Sequence, residues 1–346
     1  MTTMLPVFES QYPLLRRLLQ EDGMLHHALL LQGLPGIGKL AFARALAQGL
    51  LCETRPQNAD HACGRCPGCR WFAAGSHPDF RLLEREVVSE TRGGRGKETA
   101  QPARAWEISI DQVRALDSFL TSTSARGDAR VVLIAPADTL STPAANALLK
   151  MLEEPGRSTF FLLSTHEPSA LPPTVRSRCR QVDVPPPSAS EAAHWLMQDA
   201  GIDAAEARRL LAWSGMAPLH ARALADPVHL TVHRSLLESI GALPDTGLDT
   251  VADKAGAVGA AVWYPLLLRW ISDLLRVHAG ARPRFYPEFA SRMGTLAQRC
   301  PLVRLAEVSA VLQRQAALVR HPLNPRLFLE SALATYLDAF AGSHTT

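Results

Sequence analysis

Four of the six cysteines lie close together, with the spacing C-x10-C-x2-C-x2-C: Cys52, Cys63, Cys66 and Cys69. Four thiolates at such short spacings suit a tetrahedral structural zinc site, which leaves no open coordination position for catalysis. Disulfide bonds are the alternative, but closely spaced cysteines in a cytosolic chain favour a metal. We therefore predict a structural zinc ion that stabilises a small insertion.

A glycine-rich segment, residues 33–39, reads Gly-Leu-Pro-Gly-Ile-Gly-Lys between a predicted strand and a predicted helix. In that context Gly33, Gly36 and Gly38 suit a loop whose backbone amides surround phosphate oxygens, with Lys39 as the charge partner. The next residue is Leu40, where a Ser or Thr hydroxyl would hold magnesium. ATP binding is therefore doubtful, and two alternatives remain open: weak nucleotide binding, or glycines retained for the fold alone.

The second half of an ATP-hydrolysing site should follow the predicted strand 131–134 as an Asp-Glu pair. The chain has Ala135 and Pro136 there, and Asp138 lies beyond the strand end. Because hydrolysis depends on positioning and charge stabilisation around the phosphate, the loss of two metal-handling positions predicts that this chain does not hydrolyse ATP.

Arg178 precedes the last predicted strand, in the segment Ser177-Arg178-Cys179. An exposed arginine at the rim of a sheet can reach a phosphate bound by a neighbouring chain and stabilise transition-state charge there. Residue type alone does not distinguish Arg178 from other surface arginines.

The rest of the chain predicts how these residues are positioned. Short apolar runs that suit strands, at 28–32, 80–83, 131–135, 160–164 and 181–184, alternate with helical stretches such as 39–51, 110–122 and 143–154. This alternation indicates an α/β fold with a parallel sheet. After three prolines at 185–187 the pattern is helical, beginning with a capping box at Ser188–Glu191. We predict an α/β core over 1–187 with the zinc-binding insertion at about 52–69, a small helical domain over 188–226 and a larger helical domain over 227–346.

Composition limits the class of protein. With 346 residues, 47% of them hydrophobic and 20% charged, the chain is not predicted to be disordered. A net charge of +3 argues against a strong nonspecific nucleic-acid binder. The basic segment 92–104 is interpreted as a solvated loop, with a DNA contact as the alternative. The absence of a signal-peptide pattern and of a long apolar run predicts a cytoplasmic protein without a membrane span.

Four features occur in a fixed order along the chain: the degraded loop, the four cysteines, the segment Asn-Ala-Leu-Leu-Lys-Met-Leu-Glu-Glu-Pro at 146–155, and Ser-Arg-Cys at 177–179. In this order they closely resemble the AAA+ subunits of the bacterial DNA polymerase III clamp loader. The departures at Leu40 and at 135–136 are similar to the delta-prime subunits rather than to the gamma/tau motor. The resemblance is specific over about 25–187 and weaker beyond it, where 324–330 looks like the last helix region of the family's collar.

The resemblance implies an AAA+ P-loop core with a zinc module, a helical lid and an all-helical C-terminal collar for oligomerisation. It also implies that Gly33 to Lys39 is a P-loop remnant, that Thr165 lies at the sensor 1 position and that Arg178 is an arginine finger for an adjacent ATP site. The implied partners are the gamma/tau and delta subunits, with the sliding clamp and primer-template DNA reached through the assembled complex and no membrane. The chain would belong to the DNA polymerase (nucleotidyltransferase) holoenzyme without being an active ATPase or polymerase itself.

Two other functions remain as alternatives. One is an active ATPase of the gamma/tau type, which requires that the chain hydrolyse ATP despite Leu40. The other is a zinc-dependent nucleic-acid-binding protein, based on the cysteines and on the basic segment 92–104, although the small net charge argues against it.

Overall fold

The computed structural model describes residues 7–21, 25–54, 61–85, 107–121, 129–320 and 324–340. The chain divides into two compact units, 1–192 and 193–346. The boundary between a lid and a collar at 226 stays a prediction. The basic segment 92–104 falls outside the described residues, as does any DNA contact it was predicted to make.

The first unit contains a parallel sheet of five strands in the order β2-β3-β4-β1-β5. The strands are β1 Ala28–Gln32, β2 Phe80–Leu83, β3 Arg130–Ile134, β4 Thr159–Thr165 and β5 Arg180–Asp183. All five predicted strands are present, with ends shifted by at most one residue. The predicted α/β class is confirmed, because uninterrupted apolar runs suit strands that are covered on both faces.

Helices cover both faces of this sheet. They are α1 Tyr12–Gln20, α2 Lys39–Leu50, α3 Pro67–Ala73, α4 Ile110–Arg114, α5 Leu116–Thr121, α6 Thr142–Glu153 and α7 Pro173–Arg176. The next helix, α8 Ala189–Ala200, begins in the first unit and continues into the second. On one face, Leu29 and Leu31 of β1 pack in a core with Phe42 and Leu46 of α2. On the other face, Leu30 lies in a core with buried side chains of α4 to α6. Because strand side chains alternate between faces, one strand contributes to both cores.

One predicted helix, 110–122, is instead the two short helices α4 and α5 with Ala115 between them. Val113, Leu116 and Phe119 still enter the same core, so the break leaves the predicted apolar face intact. The predicted capping box is present: the Ser188 hydroxyl accepts from the Glu191 N–H at 3.2 Å, and the Glu191 carboxylate accepts from the Ser188 N–H at 3.4 Å.

The described residues of the second unit form helices and their connections, with no strand among them. Its helices are α9 Ala204–Trp213, α10 Pro218–Leu224, α11 Pro227–Thr246, α12 Asp249–Gly256, α13 Ala260–His278, α14 Ala290–Gln298, α15 Leu302–Gln315 and α16 Pro325–Asp338. The buried Asp273 of α13 accepts the backbone N–H groups of Arg284, Phe285 and Tyr286 at 2.7–2.8 Å. This carboxylate therefore fixes the path of the chain between α13 and α14. Across the described residues, no helix combines the length and apolar character needed to cross a membrane.

Gln11, just before α1, connects three segments of the first unit through one buried side chain. Its Nε2 donates to the Ile37 carbonyl at 2.9 Å and to the Pro185 carbonyl at 3.1 Å, and its Oε1 accepts from the Phe8 N–H at 3.3 Å. Ile37 belongs to the glycine-rich loop, and Pro185 to the chain that follows β5. The loop is thus held to the N-terminal segment and to the end of the sheet.

Candidate functional site

The glycine-rich loop lies where the sequence predicts it, between β1 and α2. Gly38 is the N-cap of α2 with φ +91°, a left-handed conformation that L side chains rarely adopt. A Cβ on Gly33 would lie 3.0 Å from both the Ile37 Cδ1 and the Val184 carbonyl oxygen. Together with Gly36 at φ +76°, these glycines are needed for the loop conformation itself, whether or not a phosphate is bound.

Lys39 bonds to its own loop. Its Nζ donates to the Gly33 carbonyl at 2.7 Å and to the Leu34 carbonyl at 2.6 Å, and the residue is only 7% exposed. Burial lowers the pKa of Lys39 to about 8, against the opposing attraction of Asp138. Two donors of the ammonium that would serve a bound phosphate are therefore engaged by carbonyl oxygens of the same loop.

Thr165 ends β4 and is in register with Gln32, the residue immediately before the loop. Its hydroxyl donates to Asp138 Oδ1 at 2.8 Å and accepts from the Glu167 N–H at 3.1 Å. The same Asp138 oxygen accepts the His166 N–H at 3.2 Å, and the His166 ring lies 3.3 Å from the other carboxylate oxygen. The predicted sensor position is thus beside the loop, but its hydroxyl bonds to Asp138.

Asp138 is the residue of this region that sequence reasoning undervalued. It lies in a short 3-10 turn, Ala137–Thr139, and its side chain is fully buried. Its position just after β3 gave a signal, since the carboxyl ends of parallel strands share one edge of a sheet. Its partners are 27 and 28 residues away along the chain, so the contact itself was not readable.

Apolar side chains occupy the two positions where a hydrolysing site would hold magnesium. Leu40 is partly buried against the core that contains α1 and α2, and Ala135 is a buried member of the same core. Neither residue offers a side-chain oxygen. That this chain lacks both metal-handling groups of an ATP-hydrolysing site stays a prediction.

Arg178 lies just beyond α7, and its side chain is 34% exposed. Its Nε donates to Glu153 Oε1 at 2.8 Å, and its NH2 group forms an ion pair with the same carboxylate. The NH1 group donates to the Thr174 carbonyl at 2.9 Å. The guanidinium is therefore at the surface, and it is held by its own subunit.

The four predicted metal ligands converge. The sulfur atoms of Cys52, Cys63, Cys66 and Cys69 all lie within 4.8 Å of one another. The Cys52–Cys66 and Cys63–Cys69 sulfur separations are 4.0 and 3.9 Å. Zinc–sulfur bonds of about 2.3 Å at tetrahedral angles place sulfur atoms about 3.8 Å apart, so the cluster has the dimensions of a four-thiolate metal site.

Local hydrogen bonds lower the pKa of Cys63 and Cys66, whereas burial raises the pKa of Cys52 and Cys69. Backbone N–H groups of Cys63, Cys66 and Cys69 donate to the sulfur atoms of Cys52, Cys63 and Cys66, respectively, at 3.3–3.4 Å. The Thr54 hydroxyl also donates to the Cys63 sulfur at 3.3 Å, and with the backbone donors it lowers the pKa of Cys63 to about 5. Within the part of the chain that the structure describes, no other group of three or more His, Cys, Asp or Glu side chains brings its ligand atoms together in this way.

Comparison with known proteins identifies the family. A family model described as "DNA polymerase III, delta subunit" matches residues 9–188. The DNA polymerase III subunit delta' of Pseudomonas aeruginosa is 40% identical over 71% of this chain and 70% of that protein, and that of Escherichia coli is 34% identical over 75% and 73%. The subunit tau of Escherichia coli is 38% identical, but over 46% of this chain and 22% of that protein. The chain therefore belongs to the DNA polymerase III subunit delta' family.

Proposed function

We propose that this chain is a non-hydrolysing AAA+ subunit of a DNA polymerase III clamp loader and that it donates Arg178 to the ATP site of a neighbouring gamma/tau subunit. In that assembly, with a delta subunit as a further partner, the chain would help to place the sliding clamp on primed DNA. Binding of ATP by the neighbour would tighten the interface through Arg178, and hydrolysis would loosen it.

The observation that carries this proposal is the state of Lys39. Its ammonium donates to Gly33 and Leu34, so binding a phosphate there requires the loss of two short hydrogen bonds from a buried cation. With Leu40 and Ala135 in the places of oxygen ligands, no magnesium ion would offset that loss. The geometry supports a loop kept for structure more than a working ATP site.

Arg178 supports the other half of the proposal. It is partly exposed, it is always charged, and its planar fork suits bidentate binding of phosphate oxygens. It follows α7 and precedes β5, so a rigid sheet positions it. An arginine supplied in trans to an ATP site is worth about 10³–10⁵ in turnover in enzymes that use one.

The test is reconstitution of the loader from this chain, a delta subunit and gamma/tau subunits, with primer-template DNA and the sliding clamp. The isolated chain should bind labelled ATP weakly or not at all and should show no magnesium-dependent hydrolysis. Adding the wild-type chain should raise ATP turnover by the assembly, and Arg178→Ala should lose most of that increase.

Two results would reject the proposal. One is full loader activity with Arg178→Ala in a chain that folds and assembles normally. The other is hydrolysis by the isolated chain that disappears with Lys39→Ala, which would instead identify an active ATPase of the gamma/tau type. The similarity to a tau subunit over 46% of this chain makes that comparison necessary.

The four cysteines are proposed to hold a structural zinc ion. Cys52 lies two residues beyond the end of α2, and Cys66 is the N-cap of α3, so bound zinc would fix the path between these helices. A site with four thiolate ligands has no open position for chemistry. Zinc would therefore contribute folding free energy to this segment and take no part in ATP hydrolysis.

Metal analysis of the purified chain should give about one equivalent of zinc, as four cysteine ligands require. Cys69→Ser should lose the metal and lower the melting temperature. Cys300→Ser, which replaces a buried cysteine of the second unit, serves as the control and should keep it. Four reactive thiols in a folded, metal-free protein would exclude the assignment.

A further inference from the structure

The surroundings of Arg178 show more than its exposure. All three guanidinium nitrogens donate within the subunit: Nε and NH2 to Glu153, and NH1 to the Thr174 carbonyl at 2.9 Å and the Ser177 hydroxyl at 3.4 Å. The Nε–NH2 edge is one of the two forks with which a guanidinium binds an oxyanion in a bidentate manner. One oxygen of the Glu153 carboxylate, Oε1, already contacts both nitrogens of that fork.

Helix α6 positions Glu153 beside Arg178. It is the last residue of the helix, and the preceding Leu152 carbonyl lies 2.9 Å from the His27 Nε2. The carboxyl end of a helix carries partial negative charge, so it adds to the attraction of the Glu153 carboxylate for a cation. Arg178 is thus held at a fixed, electronegative point on the surface of its own subunit.

We propose that Glu153 is a latch for Arg178: it keeps the guanidinium turned toward its own subunit until a phosphate bound by the neighbour displaces the carboxylate. The proposal rests on the proposed function of Arg178. Glu153 and a phosphate compete for the same fork, because two anions cannot occupy it together. Glu153 is a positioning residue, since it acts only through Arg178.

The exposure of the pair makes the latch reversible. The side chains of Arg178 and Glu153 are 34% and 49% exposed, and water competes for both partners. Exposed ion pairs contribute little free energy, so release of this pair should change the apparent affinity of the interface by about two- to fivefold. A phosphate with more than one negative charge is a stronger partner and can displace the carboxylate.

The test titrates variants of the full chain into the reconstituted loader with MgATP and primer-template DNA. Glu153→Gln keeps the size of the side chain and removes its charge. It should lower, by about two- to fivefold, the concentration of this chain that gives half-maximal stimulation of ATP turnover by the loader. The turnover at a saturating concentration of the chain should stay unchanged. The difference from wild type should shrink as salt rises, because screening already weakens the latch.

Glu154→Gln is the matched control, because it removes one charge at the neighbouring exposed residue and should behave as wild type. The double variant Glu153→Gln with Arg178→Ala should match Arg178→Ala alone, since the latch has no other target. A fall in saturating turnover with Glu153→Gln would overturn the latch and make Glu153 a support that the arginine needs. Equal half-stimulating concentrations for Glu153→Gln and Glu154→Gln would overturn it too.

The same assay distinguishes rejection of the arginine finger from rejection of the latch alone. If Arg178→Ala stimulated as well as wild type, the arginine finger would be rejected together with the latch. If Arg178→Ala failed to stimulate while Glu153→Gln matched Glu154→Gln, the finger would stand and the latch alone would be rejected.

Discussion

Lys39 and Arg178 are the two cations that we predicted to bind ATP phosphates, and they differ in burial and in hydrogen-bond partners. Lys39 is 7% exposed and bonds to two carbonyls of its own loop, whereas the side chain of Arg178 is 34% exposed and bonds to an exposed carboxylate. A buried cation with fixed partners costs much to move, and a surface ion pair costs little. The more accessible of the two cations is therefore at the rim of the sheet, and the less accessible one is in the glycine-rich loop.

The largest contrast is expected when the two cations are removed one at a time. In the reconstituted loader, Arg178→Ala should lower the chain-dependent ATP turnover by at least about 100-fold. If the loop serves the fold alone, Lys39→Ala should leave that turnover within about twofold. Turnover should be measured at a saturating concentration of each variant, after circular dichroism shows that both fold. Equal losses for the two variants would remove the contrast.

Replacement of Asp138 tests how much its buried hydrogen bonds contribute to the stability of the fold. Asp138→Ala takes the acceptor from the Thr165 hydroxyl and the His166 N–H, so it should lower the free energy of unfolding by about 2–3 kcal/mol. Asp111→Ala, at an exposed position in the first turn of α4, should cost less than about 1 kcal/mol. Urea unfolding of both variants measures the difference. A loss for Asp138→Ala no greater than that for Asp111→Ala would show that the buried network contributes little.

The pH dependence of stability tests the burial of Lys39. Its pKa is lowered from 10.5 to about 8 in the folded chain, so the unfolded chain binds more protons between these values. The penalty for the buried charge is complete below pH 8 and disappears as pH rises toward 10.5. Relative to Lys39→Met, the wild type should therefore gain about 1–2 kcal/mol of stability between pH 8 and 10. Parallel curves for the two proteins would contradict the buried cation.

The smallest effect is expected at Arg180, two residues from the proposed finger. Arg180 pairs with Glu21 through NH1 at 2.5 Å and NH2 at 3.0 Å, and its side chain is exposed to a similar degree. Arg180→Ala should change stability by less than about 1 kcal/mol, as exposed pairs do, and should leave chain-dependent turnover within twofold of wild type. A loss like that of Arg178→Ala would show that the assay responds to any arginine at this rim.

Local patterns made the core of the first unit predictable. The apolar run of β1, the glycines after it and the cysteine spacing each depend on residues close together in the sequence. The strands were therefore placed within one residue, and the four cysteines converge as the spacing indicated. The break at Ala115 was missed because both halves of that stretch present apolar residues to the same core.

Contacts between distant residues were not predictable from one sequence. The carboxylate of Asp138 bonds to a hydroxyl 27 residues away, and Arg178 bonds to Glu153, 25 residues away. Each pair is brought together by crossover connections of the parallel sheet, so the sequence offered candidates without their partners. The hydrogen bonds of Lys39 to its own loop were not predictable either. The same residues are present in a loop whose lysine binds a phosphate and in one whose lysine binds backbone carbonyls.

The tie made by Gln11 has a practical consequence for nucleotide measurements. Arg16 and Arg17 of α1 are exposed, so a trypsin-like protease that cut after either one would detach Gln11. The Ile37 and Pro185 carbonyls would then lose their shared donor, and the loop would be freed from the end of the sheet. The affinity for ATP measured on a clipped sample would therefore not be that of the intact chain, although nearly all of the protein remained. The intact mass of the chain, which shows whether α1 has been cut, should therefore be measured with every binding curve.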